Sequence, residues 1–182
     1  VYNTYQMYRH DRLQYLKDSL AEAKQKGYKV GAKLVRGAYM EKERKRAIEK
    51  NYISPIQKDK ETSDVDYDKA VEFCVENIDN MALCAGTHNE ASSLKLVELM
   101  NAKKVEPSDK RIYFSQLLGM SDHISYNLAQ SNFNVAKYVP YGPVKEVLPY
   151  LIRRAQENTS VKGQTGRELG LIMKEKQRRS GK

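Results

Sequence analysis

With 182 residues, 40% of them hydrophobic, the chain is long enough to bury one sizeable core and too long to depend on a disulfide framework. No run approaches ~18 consecutive apolar residues, which excludes a membrane-spanning helix, and the mean hydropathy of -0.74 agrees. The excess of 32 Lys and Arg over 23 Asp and Glu leaves a formal charge of +9, which favours an anionic partner: a phosphate-bearing cofactor, a carboxylate substrate, nucleic acid or a membrane surface.

The chain opens on Val1-Tyr2-Asn3, so a start inside a longer protein is expected. Leu13, Leu16, Leu20 and Ala23 recur at helical spacing and Gly27 follows, predicting a helix from Asp11 to Lys26 with a glycine stop. Lys29 to Val35, small and β-branched, reads as a strand broken at Gly37. The charged MEKERKRAIEKN after it suits an exposed helix. Tyr52 to Ser63 carries Pro55 and reads as a long loop before Tyr67, Val71, Cys74, Val75 and Ile78 restore a helical stripe.

The pattern then repeats. Ala82 to Ala85 is a buried-type strand ending in Gly86-Thr87-His88-Asn89, and the helix over Glu90 to Lys103 offers Leu94, Val97 and Met100 as core positions. Arg111 to Ser115 is a further strand, after which Ser121 is placed to cap a helix with Ile124 and Leu128 inward. Asn134 to Val139 is the last strand. A helix from Val144 to Glu157 is expected to bury Val147, Leu148, Leu151, Ile152 and Ala155, with an irregularity at Pro149, and Arg167 to Arg179 forms a final helix. The basic tail of Lys174, Lys176, Arg178, Arg179 and Lys182 reads as a solvated helix end.

Strand-then-helix repetition implies an α/β fold of parallel strands and crossover helices, either doubly wound or part of a closed barrel. No GxGxxG turn or P-loop is present, which disfavours the nucleotide-binding open sheets. A complete (βα)8 barrel takes ~250 residues, so a partial barrel is the expectation. Cys74 and Cys84 have apolar neighbours and neither zinc-like nor redox spacing, so reduced thiols and no metal site are expected.

In a barrel the chemistry gathers at the C-terminal strand ends. There the sequence places Arg36-Gly37-Ala38-Tyr39, Thr87-His88-Asn89, Gln116 to Met120 and Tyr138 to Gly142. Arg153 and Arg154 adjoin each other in a helix otherwise rich in Leu and Ile, with Tyr150 one turn earlier; paired guanidiniums beside aromatic rings suit a small amphipathic acid. His88 fits a general base, a metal ligand or a hydrogen-bonding role, and a cofactor contact is preferred because no partner stands at ligand spacing. Lys33, if buried, requires an anion or a π system nearby.

GAKLVRGAY (31–39), THNEASS (87–93), QLLGM (116–120) and KYVPYGPVKEVLPYLIRRAQEN (137–158) together resemble the proline dehydrogenases, the flavin enzymes of proline catabolism, and the likeness runs from Tyr2 to about Asn158. The resemblance implies a distorted (βα)8 barrel with FAD across its mouth, which oxidises L-proline to Δ1-pyrroline-5-carboxylate and passes electrons to a quinone. It makes residues 1–160 the C-terminal half of that TIM-like barrel and 161–182 a basic helical tail. The earlier strands, which in the family supply an acidic residue and a lysine to the substrate site, have no counterpart here, so the fragment alone is expected to be inactive and to expose two sheet edges.

By the same resemblance Arg153 and Arg154 bind the proline carboxylate, and Tyr138, Tyr150 and Leu118 enclose its ring. Lys33 is the basic residue beside the flavin and the catalytic candidate. Arg36, Gly37, Ala38, Tyr39, Thr87 and His88 fall in flavin-binding segments; Asn3 stands where bacterial relatives carry a flavin-contacting Gln, and Glu157 shares the arginine helix. Lys33 and Arg36 exchange the Arg and Lys of bacterial members, which resembles the eukaryotic form and implies a mitochondrial enzyme on the matrix side of the inner membrane, peripherally associated with it. The alternative reading is a basic anion- or RNA-binding module without activity, prompted by the charge and by 13 tyrosines. No RNP, KH or GXXG signature supports it, and a nucleic-acid partner is not expected.

Overall fold

Five parallel strands in the order β1-β2-β3-β4-β5 form one sheet. They are β1 (Tyr2–Gln6), β2 (Val30–Val35), β3 (Met81–Gly86), β4 (Ile112–Leu117) and β5 (Val135–Tyr138), joined by α1 (Arg12–Lys26), α2 (Met40–Glu49), α3 (Lys60–Glu76), α4 (Glu90–Ala102) and α5 (Asp122–Gln130), with α6 (Val144–Ser160) and α7 (Gln164–Arg179) following. The computed structural model describes residues 1–160 and 164–181, and of residues 155–160, 164–168 and 171 the backbone alone.

Because right-handed crossovers dominate between parallel strands, an order without reversal puts the crossover helices on one face of the sheet. A doubly wound sheet needs a reversal and is thereby excluded; the singly wound arc is a barrel segment. The strand sequences fit. Ala32, Leu34, Leu83, Ala85, Ile112 and Phe114 alternate as buried residues on the helix-covered face, where they meet Leu16, Leu20, Ala23, Val71, Cys74, Leu96 and Met100. Their alternates, Lys33, Val35, Cys84 and Tyr113, are half-buried on the concave face.

Local chemistry sets the element ends. Gly27 closes α1 in the left-handed region at φ 74, donating its N–H to the Ala23 carbonyl, as its position predicts. α3 starts at Lys60, earlier than the expected loop to Ser63, because the Asp59 side chain accepts the Thr62 N–H at 2.7 Å and so caps the first turn. Asn89 does the same for α4, accepting from Ser92 N at 3.2 Å.

Other elements differ from their sequence expectations. β1 carries no clear alternation and escapes sequence reading; its register against β2, from Tyr2 opposite Gly31 to Gln6 opposite Val35, is what makes it a strand. Leu94 is exposed, and the buried stripe of α4 runs through Ser92, Ser93, Leu96 and Met100, an i, i+4, i+8 row that Leu94 lies off. Ser121 precedes α5 but makes no side-chain cap bond; it stands at φ 53 with its hydroxyl oxygen 2.9 Å from His88 Nδ1. On α6, Val147 is half-buried and Leu148, Leu151 and Ile152 are exposed, because no described element covers that stripe. Ala155 lies outside the described side chains. The last helix begins at Gln164, three residues before the expected Arg167.

Candidate active site

The C-terminal ends of the five strands open onto one cleft of about 830 Å³. Its walls come from every loop that follows a strand: Gln6 after β1, Lys33 to Tyr39 around the end of β2, Gly86 to Ala91 after β3, Ser115 to Leu117 and Met120 to Ser121 around β4, and Tyr138 with Tyr150 and Arg154 from β5 and α6. A cavity of this size falls in the range that holds small molecules and cofactors. A second cavity, of about 620 Å³, lies beside α2 against Ile48, Tyr52 and Ile56, away from the strand ends.

Curvature brings distant strands together over this cleft. β2 and β5 are three strand spacings apart, roughly 14 Å on a flat sheet, yet the Lys33 ammonium lies 5.4 Å from the centroid of the Tyr138 ring. The half-buried lysine thus has the π partner its position demands. Tyr138 meets Tyr150 of α6 edge to face at 5.9 Å, and the Arg154 guanidinium carbon lies 5.1 Å from the Tyr150 centroid. Arg153 reaches Tyr39, with its guanidinium carbon 5.5 Å from that ring and Nη2 donating to the hydroxyl at 3.4 Å. Its Nε is buried with no hydrogen-bond partner among the described residues, a donor left for something else.

Arg36 is held from several sides. Its Nε donates to Asp64, Nη1 to Thr87 Oγ1 at 2.7 Å and Nη2 to Ser92 Oγ at 2.9 Å, while the guanidinium carbon sits 4.2 Å from the buried Tyr67 ring. Burial would push the Asp64 carboxyl up, but hydrogen bonds from Lys60 and Arg36 outweigh it and hold the group below its ordinary value. His88 Nδ1 lies 2.9 Å from Ser121 Oγ, and His123 Nε2 is 3.5 Å from Glu90. Gln116, wholly buried, donates to the Thr87 carbonyl at 3.3 Å and accepts from Ser125 at 2.9 Å, which ties β3, β4 and α5 together beneath the cleft. Among the described residues no group of His, Cys, Asp and Glu could hold a metal ion.

Most of the residues singled out in the sequence converge. Lys33, Arg36, Gly37, Ala38, Tyr39, Thr87, His88, Tyr138, Tyr150 and Arg154 line the cleft, and Arg153 touches its rim through Tyr39. Leu118 does not line it: β4 ends at Leu117, and Leu118 beyond it is exposed, so Leu117 and Met120 supply the apolar wall. Asn3 is exposed in mid-β1 and Gln6, at the strand end, lines the cleft instead. The Glu157 side chain lies outside the described residues. Gln116, from the strand-end cluster expected between Gln116 and Met120, lines the cleft; Lys60, Ser121 and His123 were not foreseen there, and for Lys60 the signal was Asp59, whose capping places the helix start at the strand ends.

A family model for proline dehydrogenase matches residues 1–167. The chain belongs to the proline dehydrogenase family. The mitochondrial proline dehydrogenase 1 of Homo sapiens is 42% identical over 182 aligned residues, which cover 98% of this chain and 30% of that protein. The Caenorhabditis elegans protein of the same name is 40% identical, with the same coverage. A hydroxyproline dehydrogenase from Xenopus laevis is 43% identical over 98% of this chain and 39% of its own length. The chain therefore spans about a third of the length of these curated relatives. Among solved structures, proline utilization A from Bdellovibrio bacteriovorus, inactivated by N-propargylglycine, matches 87% of this chain with a TM-score of 0.81 at 24% identity and 16% coverage of its own chain; that likeness speaks to the fold, a TIM-barrel-like segment. The proline dehydrogenase assignment and the strand-end cleft agree with each other, since a barrel places its site at those ends.

Proposed function

We propose that the protein containing this chain is an FAD-dependent L-proline dehydrogenase of proline catabolism, mitochondrial, passing electrons to a quinone at the matrix side of the inner membrane, with peripheral membrane association. Residues 1–160 form the C-terminal half of its catalytic barrel and 161–182 its basic tail. The observation that carries the reading is the meeting of Arg154, Tyr150, Tyr138 and Lys33 in one chain of ring and cation contacts at the strand ends. Relatives named as mitochondrial proline dehydrogenases support it at 42% and 40% identity.

The residues present fit a flavin nucleotide. Lys33, Arg36, Lys60 and Arg154 line one cleft, a donor set suited to an anionic cofactor, and Arg153 Nε has no hydrogen-bond partner among the described residues. FAD, when bound, supplies the acceptor for the hydride of the substrate C–H bond. Arg153 and Arg154 hold the carboxylate of L-proline, their different directions on α6 gripping it from two sides. Tyr138 and Tyr150, set at near right angles, enclose the pyrrolidine ring and exclude water, while Leu117 and Met120 close the apolar side. Lys33, lining the cleft beside Tyr138, would offer its ammonium to negative charge that develops during oxidation. Arg36, Thr87 and His88, with the backbone of Gly37 and Ala38, hold the cofactor, and Tyr39 supports it and Arg153 together. The catalytic advantage is chiefly positioning.

The test is an absorbance spectrum of the full-length protein. A bound flavin band that L-proline bleaches is the expected result. A colourless protein that instead binds RNA with steep salt dependence overturns the reading in favour of a basic binding module.

A further inference from the structure

Asp64, on the second turn of α3, contacts two cleft-lining cations: Arg36 through Nε, and Lys60, four residues earlier, through Nζ at 2.5 Å. Neither partner is adjacent to the other in sequence. β2 delivers Arg36 and the Asp59-capped start of α3 delivers Lys60, so their juxtaposition is made by Asp64. One negative charge between two positive ones leaves a net positive wall, which an anion in the cleft would neutralise.

The other edge of the Arg36 guanidinium is fixed as firmly. Ser92 is buried; its hydroxyl donates its single proton to Asp68 Oδ1 at 2.7 Å, which leaves its lone pairs for Arg36 Nη2 at 2.9 Å. Thr87 Oγ1 takes Nη1, and the Tyr67 ring backs the plane. A guanidinium has five N–H donors in a rigid fork, and the partners named here use one on each nitrogen. One N–H on each terminal nitrogen remains among the described residues, on a group that has already lost its rotamer freedom. A donor pair of this kind binds an anion without further ordering cost.

We infer that Asp64 and Ser92 are positioning residues for cofactor binding: Asp64 draws Arg36 and Lys60 onto one wall of the cleft, and Ser92, oriented by Asp68, sets the guanidinium plane, so that the wall meets the anionic part of a flavin nucleotide preorganised. This rests on the flavin reading above and extends it to residues of α3 and α4 that lie behind the cleft. Lys60, with a side chain about two-thirds exposed, contributes charge at the rim, and Arg36 contributes directed hydrogen bonds.

The test uses the full-length protein stripped of flavin and titrated with FAD, following flavin fluorescence, with the melting temperature of each flavin-free variant measured alongside. Asp64→Ala should weaken FAD binding ~10-fold and Ser92→Ala ~3-fold, while Asp64→Asn, which keeps an acceptor for Nε, should recover part of the loss. At saturating FAD the KM for L-proline should stay within ~2-fold of wild type in all three. Asp66→Ala is the control, because Asp66 lies on the same helix and bonds Gln57, away from the cleft lining; it should lower the melting temperature and leave FAD affinity unchanged. If Asp64→Ala does not fold, Asp64→Asn and Ser92→Ala carry the comparison. Wild-type FAD affinity in Asp64→Asn and Ser92→Ala, or an equal loss in Asp66→Ala, overturns the inference while leaving the flavin reading intact. A wild-type protein that takes up no FAD overturns that reading, and the inference falls with it.

Discussion

Arg153 of α6 sets its guanidinium carbon over the ring of Tyr39, the residue at the start of α2, 5.5 Å from the ring centroid and across 114 positions of sequence. The accompanying hydrogen bond is long at 3.4 Å, so the ring contact is the stronger part of the pair. Through it α6, whose apolar stripe is otherwise exposed, is registered against the cleft. Its neighbour Arg154 lies over Tyr150 one turn earlier on the same helix, at 5.1 Å.

The first prediction concerns this pair. On the proposed reading, Arg153→Ala and Arg154→Ala in the full-length protein should each weaken L-proline binding by ~2 to 4 kcal/mol, because the substrate carboxylate would be left with one cation in place of two. Steady-state KM values check this; an unchanged KM in both variants refutes the clamp.

Gly37 stands at φ 118, and a Cβ there would run into the Tyr8 ring. Tyr8 is buried and its N–H bonds the Arg36 carbonyl at 2.7 Å, so the ring has little room to yield. Gly37→Ala should therefore cost ~2 to 3 kcal/mol of stability, the sum of backbone strain and steric displacement, and should shift the Arg36 carbonyl next to the cleft. A thermal melt measures the first effect and FAD retention the second.

Asp11 receives paired hydrogen bonds from Arg12 and Arg9, which hold its carboxyl far below the usual carboxylate range against the opposing effect of burial. A depressed folded-state value contributes stability that is fully present above the unfolded pKa of ~3.9 and is lost as pH falls through the lower folded value. Asp64 is shifted in the same direction. Melting temperature should thus drop steeply below about pH 4, and Asp11→Asn should flatten that acid limb while lowering stability at neutral pH. A variant whose acid limb matches wild type would contradict the assignment.

Cys74 lies wholly inside the core, and burial pushes its thiol up to about 12; Cys84 is half-buried on the concave face, its thiol raised by burial in spite of nearby Lys33. Thiolate is the reactive form, so iodoacetamide at pH 8 should label neither site quickly in the native protein, with Cys74 modified only on unfolding. Peptide mass spectrometry after timed quenching tests the order.

Much of the fold was legible because the strongest elements obey simple periods. The stripe of Leu16, Leu20 and Ala23 closed by Gly27, and the short strands that end in Gly37 and in Gly86-Thr87-His88, are local signals with local causes. Leu94 and the α6 leucines misled because periodicity marks an apolar face without saying whether anything covers it. Leu118 misled for a related reason: a strand's last residue sets which neighbour turns inward, and β4 runs two residues further than its composition suggests.

Sequence by itself determined the alternation of strand and helix, the clustering of Arg36, Thr87, His88, Tyr138 and Arg154 at strand ends or on α6, and membership of the proline dehydrogenase family. Tertiary structure alone decided that Lys33 meets Tyr138 across three strands, that β1 exists, that Lys60 joins the cleft wall and that Asp64 and Ser92 stand behind it. The division is physical. Helix caps and periods act over a few residues, whereas the contacts around Arg36 join residues 28 to 56 positions apart and sheet curvature joins Lys33 to Tyr138 over a longer span still, meetings that no local pattern encodes.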